Sequence, residues 1–541
     1  MITRFGNLGD AIDACEYWYG PYPYDRVGYV LTTDGALEIP TNVAYPQFMT
    51  TQTTGNNRGL YTHELGHHWW GDKVTPYVHN DMWLKEGPAE YSGHLIEEWI
   101  GGQAGLLQAV KDNHFRVLRE AHLDDGGFQP LSPMPDEHIY GTHTYYKGAS
   151  VMHNLRGYLG DELFRQGMRG VQIALAEQTM TPQQFRDSLE SATGVDLDAF
   201  FDAWVFAPGY SVFVVRERTV NAVNDSFEVV LNIDQKLRGT TVYHEAVPLE
   251  VSFLNAEGEE FLADIVASGA NALHTVMVPF EPALVVLNRH NRLNQARTAN
   301  ERTLIPGVSF GSTQPFVDMI MYQTNLVDTT LVRIEHIWSG AGVDPATPDV
   351  IDVSDTHYWD IGGLWPEGTI LRGRFTYAGA TADNLDNALV DGDETGMLMV
   401  HRETPLDPWA PYPDQTVLAG DLANGNGIVN LDVMRKGQYA FAKSSVNVGM
   451  AEVRTDLATV DLFPVPAMDH VNVQLDGGLN GTVRFDVLNA AGQLQMRTFR
   501  SANAEGRYRL DVADLAPGAY LLHTAIGEGT AVVARPFTVT R

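Results

Sequence analysis

The stretch Tyr61-Thr62-His63-Glu64-Leu65-Gly66-His67 decides how the first third of the 541-residue chain is interpreted. Residues four positions apart lie on one face of an α-helix, so His63 and His67 can both offer an imidazole nitrogen to one metal ion. Glu64, one position along, then lies beside the water molecule that such an ion binds. The stretch therefore predicts a helix that carries a catalytic metal site.

A third ligand is needed, because a catalytic zinc ion normally takes three protein ligands and keeps one position open. Glu86 lies downstream, within Trp83–Tyr91. A turn and a second helix running back against the first would bring Glu86 over the two imidazoles, and Pro88 is compatible with the first turn of that helix. Glu90 is the rival ligand, but we interpret it as an acceptor for an imidazole N–H. The alternative is a solvated helix edge with Glu86 in a surface ion pair.

The composition restricts the possible partners. Lys and Arg number 36 against 68 Asp and Glu, which gives a net charge of −32. Such a field repels phosphate backbones and anionic lipid headgroups, so we expect no nucleic-acid partner. The single cysteine, Cys15, excludes an internal disulfide and a thiolate cluster, so a metal must bind to His and carboxylates. No apolar run is long enough for a membrane-spanning segment.

The spacing of apolar residues separates a helical part from a β part. Up to Phe206 they recur at three- and four-residue intervals, and Thr181-Pro182 is a typical helix start. The helices predicted after the metal-binding stretch are Tyr145–Leu159, Asp161–Glu177, Pro182–Ala192 and Leu197–Val205.

Beyond Pro208 the period is two, as in half-buried strands. Apolar and polar residues alternate over 249–253 and again over 371–377, whereas the Asn-, Arg- and Thr-rich stretch Asn288–Thr303 is interpreted as a linker. We therefore expect a multidomain α+β protein in which a mainly α domain precedes three β-sandwich-like modules. The predicted domains are residues 1–207, 208–300, 301–455 and 456–541.

The histidine motif resembles that of the aminopeptidase N family of gluzincin zinc metallopeptidases. The resemblance rests on His63–Asp72 followed by Trp83–Gly87, and three further stretches agree with it. These are Trp18–Asp25, then Gly35-Ala36-Leu37-Glu38-Ile39 in place of the family's Gly-Ala-Met-Glu-Asn, and Tyr145-Tyr146-Lys147-Gly148 in place of its Tyr-Glu-Lys-Gly.

For the metal, this resemblance implies a thermolysin-like zinc-peptidase domain over residues 1–207. One zinc ion per chain would bind to His63, His67 and Glu86. Glu64 would act as general base and then as general acid, because it can take a proton from water and pass it to the leaving amine.

For the substrate, the resemblance implies that Tyr145 stabilises the oxyanion and that Glu38 anchors the free α-amino group, with Gly35 and Ala36 beside it. The second tyrosine, Tyr146, departs from the family pattern. Successive helical positions point about 100° apart, so we expect only one of the two tyrosines to face the zinc, and the motif position favours Tyr145.

The end of the chain resembles the C-terminal sorting domain of type IX secretion substrates. The segments concerned are Leu462–Pro466, Phe485–Gly492 and Leu515–Tyr520. The resemblance implies a secreted or cell-surface protein that is handled by type IX secretion machinery; an ordinary carbohydrate- or protein-binding sandwich is the alternative. The first residues contain neither the signal peptide nor the N-terminal sandwich that these resemblances imply, so we expect a longer precursor, with a leaderless protein as the alternative.

Together these features favour a secreted zinc-dependent aminopeptidase that hydrolyses N-terminal residues from peptides. A zinc endopeptidase is the rival among enzymes, since the residues that flank Glu38 differ from the family motif. The rival from another class is a catalytically weak surface-binding protein that uses its β modules.

Overall fold

The computed structural model describes residues 2–308, 311–343, 346–348, 351–418, 421–445, 460–475, 482–489, 494–501, 507–526 and 531–540. Helices predominate up to about residue 207 and strands after it. The protein thus combines a helical region with many β-sheets, as the sequence predicts. No helix in the described ranges is long and apolar enough to cross a membrane.

The helical region consists of α1 (Leu8–Tyr19), α2 (Thr54–Gly66), α3 (Trp83–Arg116), α4 (His122–Asp124), α5 (Gly148–Ala174), α6 (Pro182–Thr193) and α7 (Asp198–Trp204). Two short parallel strand pairs accompany them: β1 (Tyr29–Thr32) with β2 (Val43–Pro46), and β3 (Val74–Pro76) with β4 (Gln178–Met180). π-helical turns at Val117–Ala121 and His143–Lys147 follow α3 and precede α5.

Local sequence explains where two of these helices begin or bend. Gly160 has a φ of +71°, which kinks α5 at the point where the predicted segments Tyr145–Leu159 and Asp161–Glu177 meet. At the start of α6, the Thr181 hydroxyl accepts from the Gln184 N–H, and the Gln184 side chain accepts from the Thr181 N–H. The helix start predicted at Thr181-Pro182 is therefore confirmed.

Aromatic side chains fill the core of the helical region. Trp69, Trp70 and Trp83 are at most 1% exposed. Trp70 makes an edge contact with Tyr19, with ring centroids 5.4 Å apart, and Trp83 makes one with Phe185 at 6.1 Å. The chain segments that follow His67 and precede Glu86 are thereby anchored in the core.

Two three-stranded antiparallel sheets follow and share one buried cluster. Their strands are β5 (Tyr210–Val223), β6 (Ser226–Arg238), β7 (Val247–Leu254), β8 (Glu260–Ala267), β9 (Asn271–Val278) and β10 (Leu284–Leu287). The strand orders are β5-β6-β9 and β10-β7-β8. The strand predicted from the alternation at 249–253 is confirmed as part of β7.

A larger pair of sheets comes next. Its elements are β11 (Arg297–Leu304), β12 (Gly311–Gln314), β13 (Met319–Asn325), β14 (Thr330–Ile337), β15 (Ile351–Val353), β16 (Tyr358–Leu364), β17 (Ile370–Ala378), α8 (Asn387–Val390), β18 (Met397–Arg402), β19 (Ala410–Pro411), β20 (Gln415–Leu418), β21 (Asn426–Met434) and β22 (Gly437–Ser444). One sheet runs β11-β14-β16-β22-β18-β19 with β15 also on β22, and the other runs β12-β13-β17-β21-β20. The alternation at 371–377 is confirmed as part of β17.

The last unit contains β23 (Val460–Phe463), β24 (His470–Leu475), β25 (Thr482–Asn489), β26 (Leu494–Ser501), β27 (Arg507–Asp511), β28 (Gly518–Ile526) and β29 (Ala531–Val539). They form the antiparallel sheets β23-β24-β27 and β26-β25-β28-β29 around one apolar cluster. Of the sequence segments singled out here, Leu462–Pro466 and Leu515–Tyr520 are described, whereas the end of Phe485–Gly492 lies outside the described residues.

The linker predicted over Asn288–Thr303 is wrong. Its second half forms most of strand β11, and its first half is held against the helices by hydrogen bonds. The Asn154 amide donates to the Asn294 carbonyl at 3.0 Å and accepts from the Asn294 N–H at 2.6 Å. His114 bonds to the Gln295 carbonyl. Side-chain amides make the hydrogen bonds that this backbone would otherwise make within a sheet. A polar composition is therefore not sufficient to predict an exposed loop.

Candidate metal centre

The predicted metal ligands converge on one point. His63 lies in the last turn of α2, and His67 directly follows the last residue of that helix. Their Nε2 atoms lie 3.1 Å apart. Glu86, in the first turn of α3, brings Oε2 to 3.3 Å from His63 Nε2 and 3.1 Å from His67 Nε2. All three residues are buried. The structure thus brings together the two histidines and the glutamate that the sequence predicts as ligands.

Each imidazole is oriented through its other nitrogen. His67 Nδ1 lies 3.0 Å from the Trp70 carbonyl, which can only accept, so Nδ1 carries the hydrogen and Nε2 of the neutral ring bears a lone pair. His63 Nδ1 lies 2.9 Å from Glu90 Oε2 in the same arrangement. The interpretation of Glu90 as the acceptor of an imidazole N–H is confirmed. Glu86 Oε2 is buried with no hydrogen-bond partner among the described residues.

Three electron-rich atoms facing one another require a cation between them. In a tetrahedral zinc site with bonds of about 2.0–2.1 Å, ligand atoms lie about 3.3–3.4 Å apart, close to the separations found here. Burial lowers the pKa of His63, but Glu86 and Glu90 outweigh this and raise it to about 10, so a proton occupies the cluster when no metal does. The residues present therefore fit a zinc ion, which would displace that proton.

Glycines allow the helices that carry these groups to touch. A Cβ on Gly66 would lie 2.9 Å from Ser92 Oγ and 3.1 Å from Ala89 Cα, so α2 lies directly on α3. A Cβ on Gly148 would lie 2.8 Å from the Cα of Gly87, the residue after Glu86. Backbone contact between α3 and α5 at this point brings the residues before α5 to the ligands.

The convergent ligands line an open cavity of about 580 Å³. The other lining residues are Ala36, Leu37, Glu38, Gly59, Leu60, Glu64, Lys85, Glu90, Tyr140, Tyr145 and Tyr146. Gly35 is not among them; its φ of +70° forms the turn that leads the chain to Ala36 and Glu38 at the cavity wall. The structure therefore brings every predicted site residue except Gly35 to the cavity.

Glu64 lies beside the predicted metal ligands in this cavity. Its side chain is buried, with 5% of the residue exposed. One carboxylate oxygen of Glu64 lies within 4.8 Å of a carboxylate oxygen of Glu38 and of an imidazole nitrogen of His67. Burial raises the pKa of Glu64, which brings the carboxylate closer to the range in which it exchanges a proton at neutral pH.

The two adjacent tyrosines have different surroundings, although both line the cavity. The Tyr145 ring lies nearly parallel to the His63 imidazole, with ring centroids 5.8 Å apart. The Tyr146 ring is covered by the Arg116 guanidinium at 3.9 Å. Burial raises the pKa of Tyr145, so its hydroxyl remains a hydrogen-bond donor at neutral pH. Of the two, only Tyr145 is in ring contact with a predicted metal ligand.

Sequence reasoning missed two residues that shape the site. Lys85 forms an ion pair with Glu38, and its Nζ lies 3.6 Å from Glu86 Oε1. In the sequence, only its position next to Glu86 indicates that Lys85 lies at the site. Asp125 accepts from the backbone N–H groups of Thr142 and His143 at 3.1 and 2.7 Å, at the start of the turn that carries Tyr145. Nothing local in the sequence indicated Asp125.

Comparison with known proteins agrees with this geometry. Residues 21–204 match the model of the Peptidase family M1 domain. The chain carries an M1 peptidase domain. Residues 461–535 match the model of the secretion system C-terminal sorting domain. The resemblances to the aminopeptidase N family and to type IX sorting domains are therefore confirmed.

Relatives match part of the chain rather than its whole length. The chain is 30% identical over 205 residues to Probable aminopeptidase 2 of Sulfurisphaera tokodaii, covering 36% of this chain and 25% of that protein. It is 30% identical over 163 residues to Aminopeptidase N of Lactococcus lactis subsp. lactis, covering 28% and 19%. The chain thus spans a quarter or less of the length of these relatives.

A solved M1 zinc metallopeptidase from Deinococcus radiodurans is 27% identical, with a TM-score of 0.32. The match covers 37% of this chain and 43% of that one.

Proposed function

We propose that the protein is a secreted zinc-dependent aminopeptidase that removes N-terminal residues from peptides. One observation carries the proposal: His63 Nε2, His67 Nε2 and Glu86 Oε2 lie within 3.3 Å of one another, beside Glu64, in an open cavity. This set of donors suits zinc, and the cavity leaves room for a peptide end. The M1 domain and its aminopeptidase relatives agree with this reading.

In this proposal His63, His67 and Glu86 hold one zinc ion per chain. A bound zinc ion supplies Lewis acidity and lowers the pKa of coordinated water to about 7. Glu90 and the Trp70 carbonyl hold the two imidazoles in the tautomer that leaves Nε2 available. Buried carboxylate and imidazole groups thus provide the ligand set without any contribution from the single cysteine.

Glu64 moves the proton. Its carboxylate takes a proton from the attacking water and delivers it to the nitrogen of the leaving group. The leaving group therefore departs as a neutral amine and not as an amide anion. The raised pKa of the buried carboxyl group supports both directions of transfer.

Tyr145 donates its hydroxyl hydrogen to the oxygen that becomes negative as water adds to the carbonyl. Asp125 positions this donor, because its carboxylate caps the turn His143–Lys147 from which Tyr145 projects. Glu38 binds the α-ammonium of the substrate, with Ala36 and the Gly35 turn shaping the adjacent wall.

We also propose the domain order predicted from sequence: a thermolysin-like peptidase domain at 1–207 and three β-sandwich modules at 208–300, 301–455 and 456–541. The separate apolar cluster of each sheet pair supports three β modules, with the second boundary moved to the start of strand β11 at Arg297, because β11 pairs with β14. The sorting domain indicates secretion or attachment to the cell surface, and type IX secretion machinery is the proposed partner.

The test measures metal and turnover together. The purified protein should contain one zinc per chain and hydrolyse amino-acyl arylamides, and Glu64→Gln should retain the zinc and lose the hydrolysis. A protein that binds zinc but cleaves neither arylamides nor an internally quenched peptide would contradict the proposal and favour the surface-binding alternative.

A specific contact supports a second candidate, a zinc endopeptidase. Glu38 is already paired with Lys85, so the carboxylate that would select a free amine is partly neutralised. Cleavage of an internally quenched peptide at interior bonds, at rates equal to those on arylamides, would favour this candidate.

A further inference from the structure

A second cavity lies between two β modules and shares no lining residue with the cavity of the metal centre. Its volume is about 320 Å³, which is large enough for a small molecule. One wall belongs to strands β5 and β6, and the facing wall belongs to β16, β18 and β22. We refer to it as the intermodule cavity, and its polar side chains are those of Arg216, Asp234, Lys236, Tyr358, Arg402 and Gln438.

The charge of this lining is opposite to that of the whole chain. Arg216, Lys236 and Arg402 are three cations, whereas Asp234 is the only Asp or Glu among the described residues of the lining. Asp234 is already engaged, because its carboxylate lies 4.0 Å from Arg216 and accepts from the Asn271 amide at 2.8 Å. In a chain with a net charge of −32, a cavity with an excess of positive charge is a place that attracts anions.

Lys236 and Arg402 reach from opposite walls to one backbone oxygen. The Ala341 carbonyl accepts from Lys236 Nζ at 2.9 Å and from Arg402 Nη2 at 3.2 Å. Arg402 is only 5% exposed, and Gln438 holds it by accepting from Nε at 2.9 Å. Burial, and then the nearby Arg402, lower the pKa of Lys236 to about 8. Two like charges thus share a neutral acceptor, and an anion beside them would offset their repulsion.

The Tyr358 hydroxyl adds a donor to the same lining. Tyr358 is fully buried, and its hydroxyl has no hydrogen-bond partner among the described residues. Lys236 Nζ lies 5.7 Å from the centroid of the Tyr358 ring. Burial raises the pKa of Tyr358, so the hydroxyl keeps its hydrogen at neutral pH. Because a buried donor without an acceptor costs free energy, a ligand oxygen that accepts from it would stabilise the site.

We propose that the intermodule cavity binds a small organic carboxylate that carries an aliphatic group. The carboxylate accepts from Lys236, Arg402 and the Tyr358 hydroxyl. The aliphatic group packs on Val343 and Leu406, which line the same cavity and are 58% and 44% exposed. The site is separate from the metal centre, so it does not depend on the proposed peptidase activity.

The lining favours such a carboxylate over an inorganic anion. A phosphate ion would pair with the cations but would leave Val343 and Leu406 in contact with water. A carboxylate matches the planar guanidinium of Arg402, and its aliphatic group gains the burial of apolar surface. Charge therefore selects an anion, and the apolar residues select its organic part.

The test is calorimetric titration of the zinc-loaded full chain with N-acetyl-leucine. N-acetyl-leucinamide, which lacks the negative charge, should bind at least about 10-fold more weakly. Lys236→Met and Tyr358→Phe should each weaken the binding of N-acetyl-leucine on the order of 10-fold. Lys443→Met is the matched control and should change nothing, because Lys443 also donates to a backbone carbonyl, that of Val390 at 2.9 Å, but lies outside the cavity lining.

Further measurements separate this site from folding effects and from the metal centre. Tyr358→Phe should melt at the wild-type temperature or above, because it removes a hydroxyl that has no partner. Arg216→Gln changes a side chain that is 50% exposed, so it should fold even if Lys236→Met does not, and it should weaken binding by about 2- to 5-fold.

Three results would overturn the inference. The first is absence of N-acetyl-leucine binding to the wild type. The second is an affinity that stays unchanged in folded Lys236→Met, Tyr358→Phe or Arg216→Gln, which would place the carboxylate elsewhere, as on the zinc ion. The third is equal affinity for N-acetyl-leucinamide or full displacement by an equal concentration of inorganic phosphate.

Discussion

Removing the Glu90 carboxylate should weaken zinc binding without touching a ligand atom. Glu90 Oε2 lies 2.9 Å from His63 Nδ1 and holds the ring in the tautomer that offers Nε2. His67 is held by the Trp70 backbone carbonyl, which no side-chain substitution removes. Glu90→Ala is therefore the substitution that perturbs the orientation of one ligand alone.

The size of the effect follows from this bond. A hydrogen bond to a charged group contributes about 1.5–3 kcal/mol, which corresponds to about 10- to 100-fold in affinity. The Glu90 side chain is 27% exposed, so water can partly replace the lost acceptor. We therefore expect a loss of about 10- to 30-fold in zinc affinity, within the range typical of residues that support metal ligands.

The assay is competition between the metal-free protein and a chromophoric chelator at fixed pH. Glu97→Ala is the matched control: Glu97 lies on the same helix, is 30% exposed, and accepts two hydrogen bonds of 2.7 Å from Arg58 of α2. The Glu97–Arg58 pair joins α3 to α2, as the contact between Glu90 and His63 does, but neither residue contacts a proposed zinc ligand in these hydrogen bonds. Zinc affinity of Glu90→Ala within twofold of wild type, or an equal loss in Glu97→Ala, would refute the reasoning.

Three further outcomes are expected. Glu64→Gln should keep zinc, as measured by metal analysis, and lose turnover, because an amide cannot accept the proton of water. Tyr145→Phe should lower kcat on the order of 10²-fold with zinc retained, whereas Tyr146→Phe should cost far less, and the reverse order would move the oxyanion role to Tyr146. Burial lowers the pKa of Lys147 from 10.5 to about 7, so the unfolded chain binds more protons between these values and stability should rise with pH there; Lys147→Met should abolish this rise in melting temperature.

The two proposed histidine ligands could be predicted because helix geometry relates them locally. His63 and His67 are four residues apart, whereas Glu86 returns to them through the connection of residues 67–82, which includes strand β3. Glu90, one helical turn beyond Glu86, could be predicted for the same reason. The pairing of Lys85 with Glu38 could not, because the two lie 47 residues apart and meet only through the tertiary path of the chain.

The β region shows the same limit at a larger scale. Alternation of apolar and polar residues predicts strands such as β7 and β17, because the period of two is a local property of a half-buried strand. It does not predict which strands pair, and β16 pairs with β22 across more than seventy residues. The segment at 288–303 has the composition of an exposed loop, yet its Asn294 side chain donates to Ser150 of α5 and its Asn294 backbone is bonded by Asn154.

The contact between Gly87 and Gly148 is a long-range contact that positions residues of the proposed site. Gly87 follows the proposed ligand Glu86, and Gly148 follows the turn that carries Tyr145, so this close backbone contact between α3 and α5 lies between the proposed metal ligand and the proposed oxyanion donor. A side chain at either glycine would separate the helices by about the width of a methyl group and move Tyr145 away from His63. Under the proposed function both positions therefore require glycine, although neither residue takes part in a chemical step.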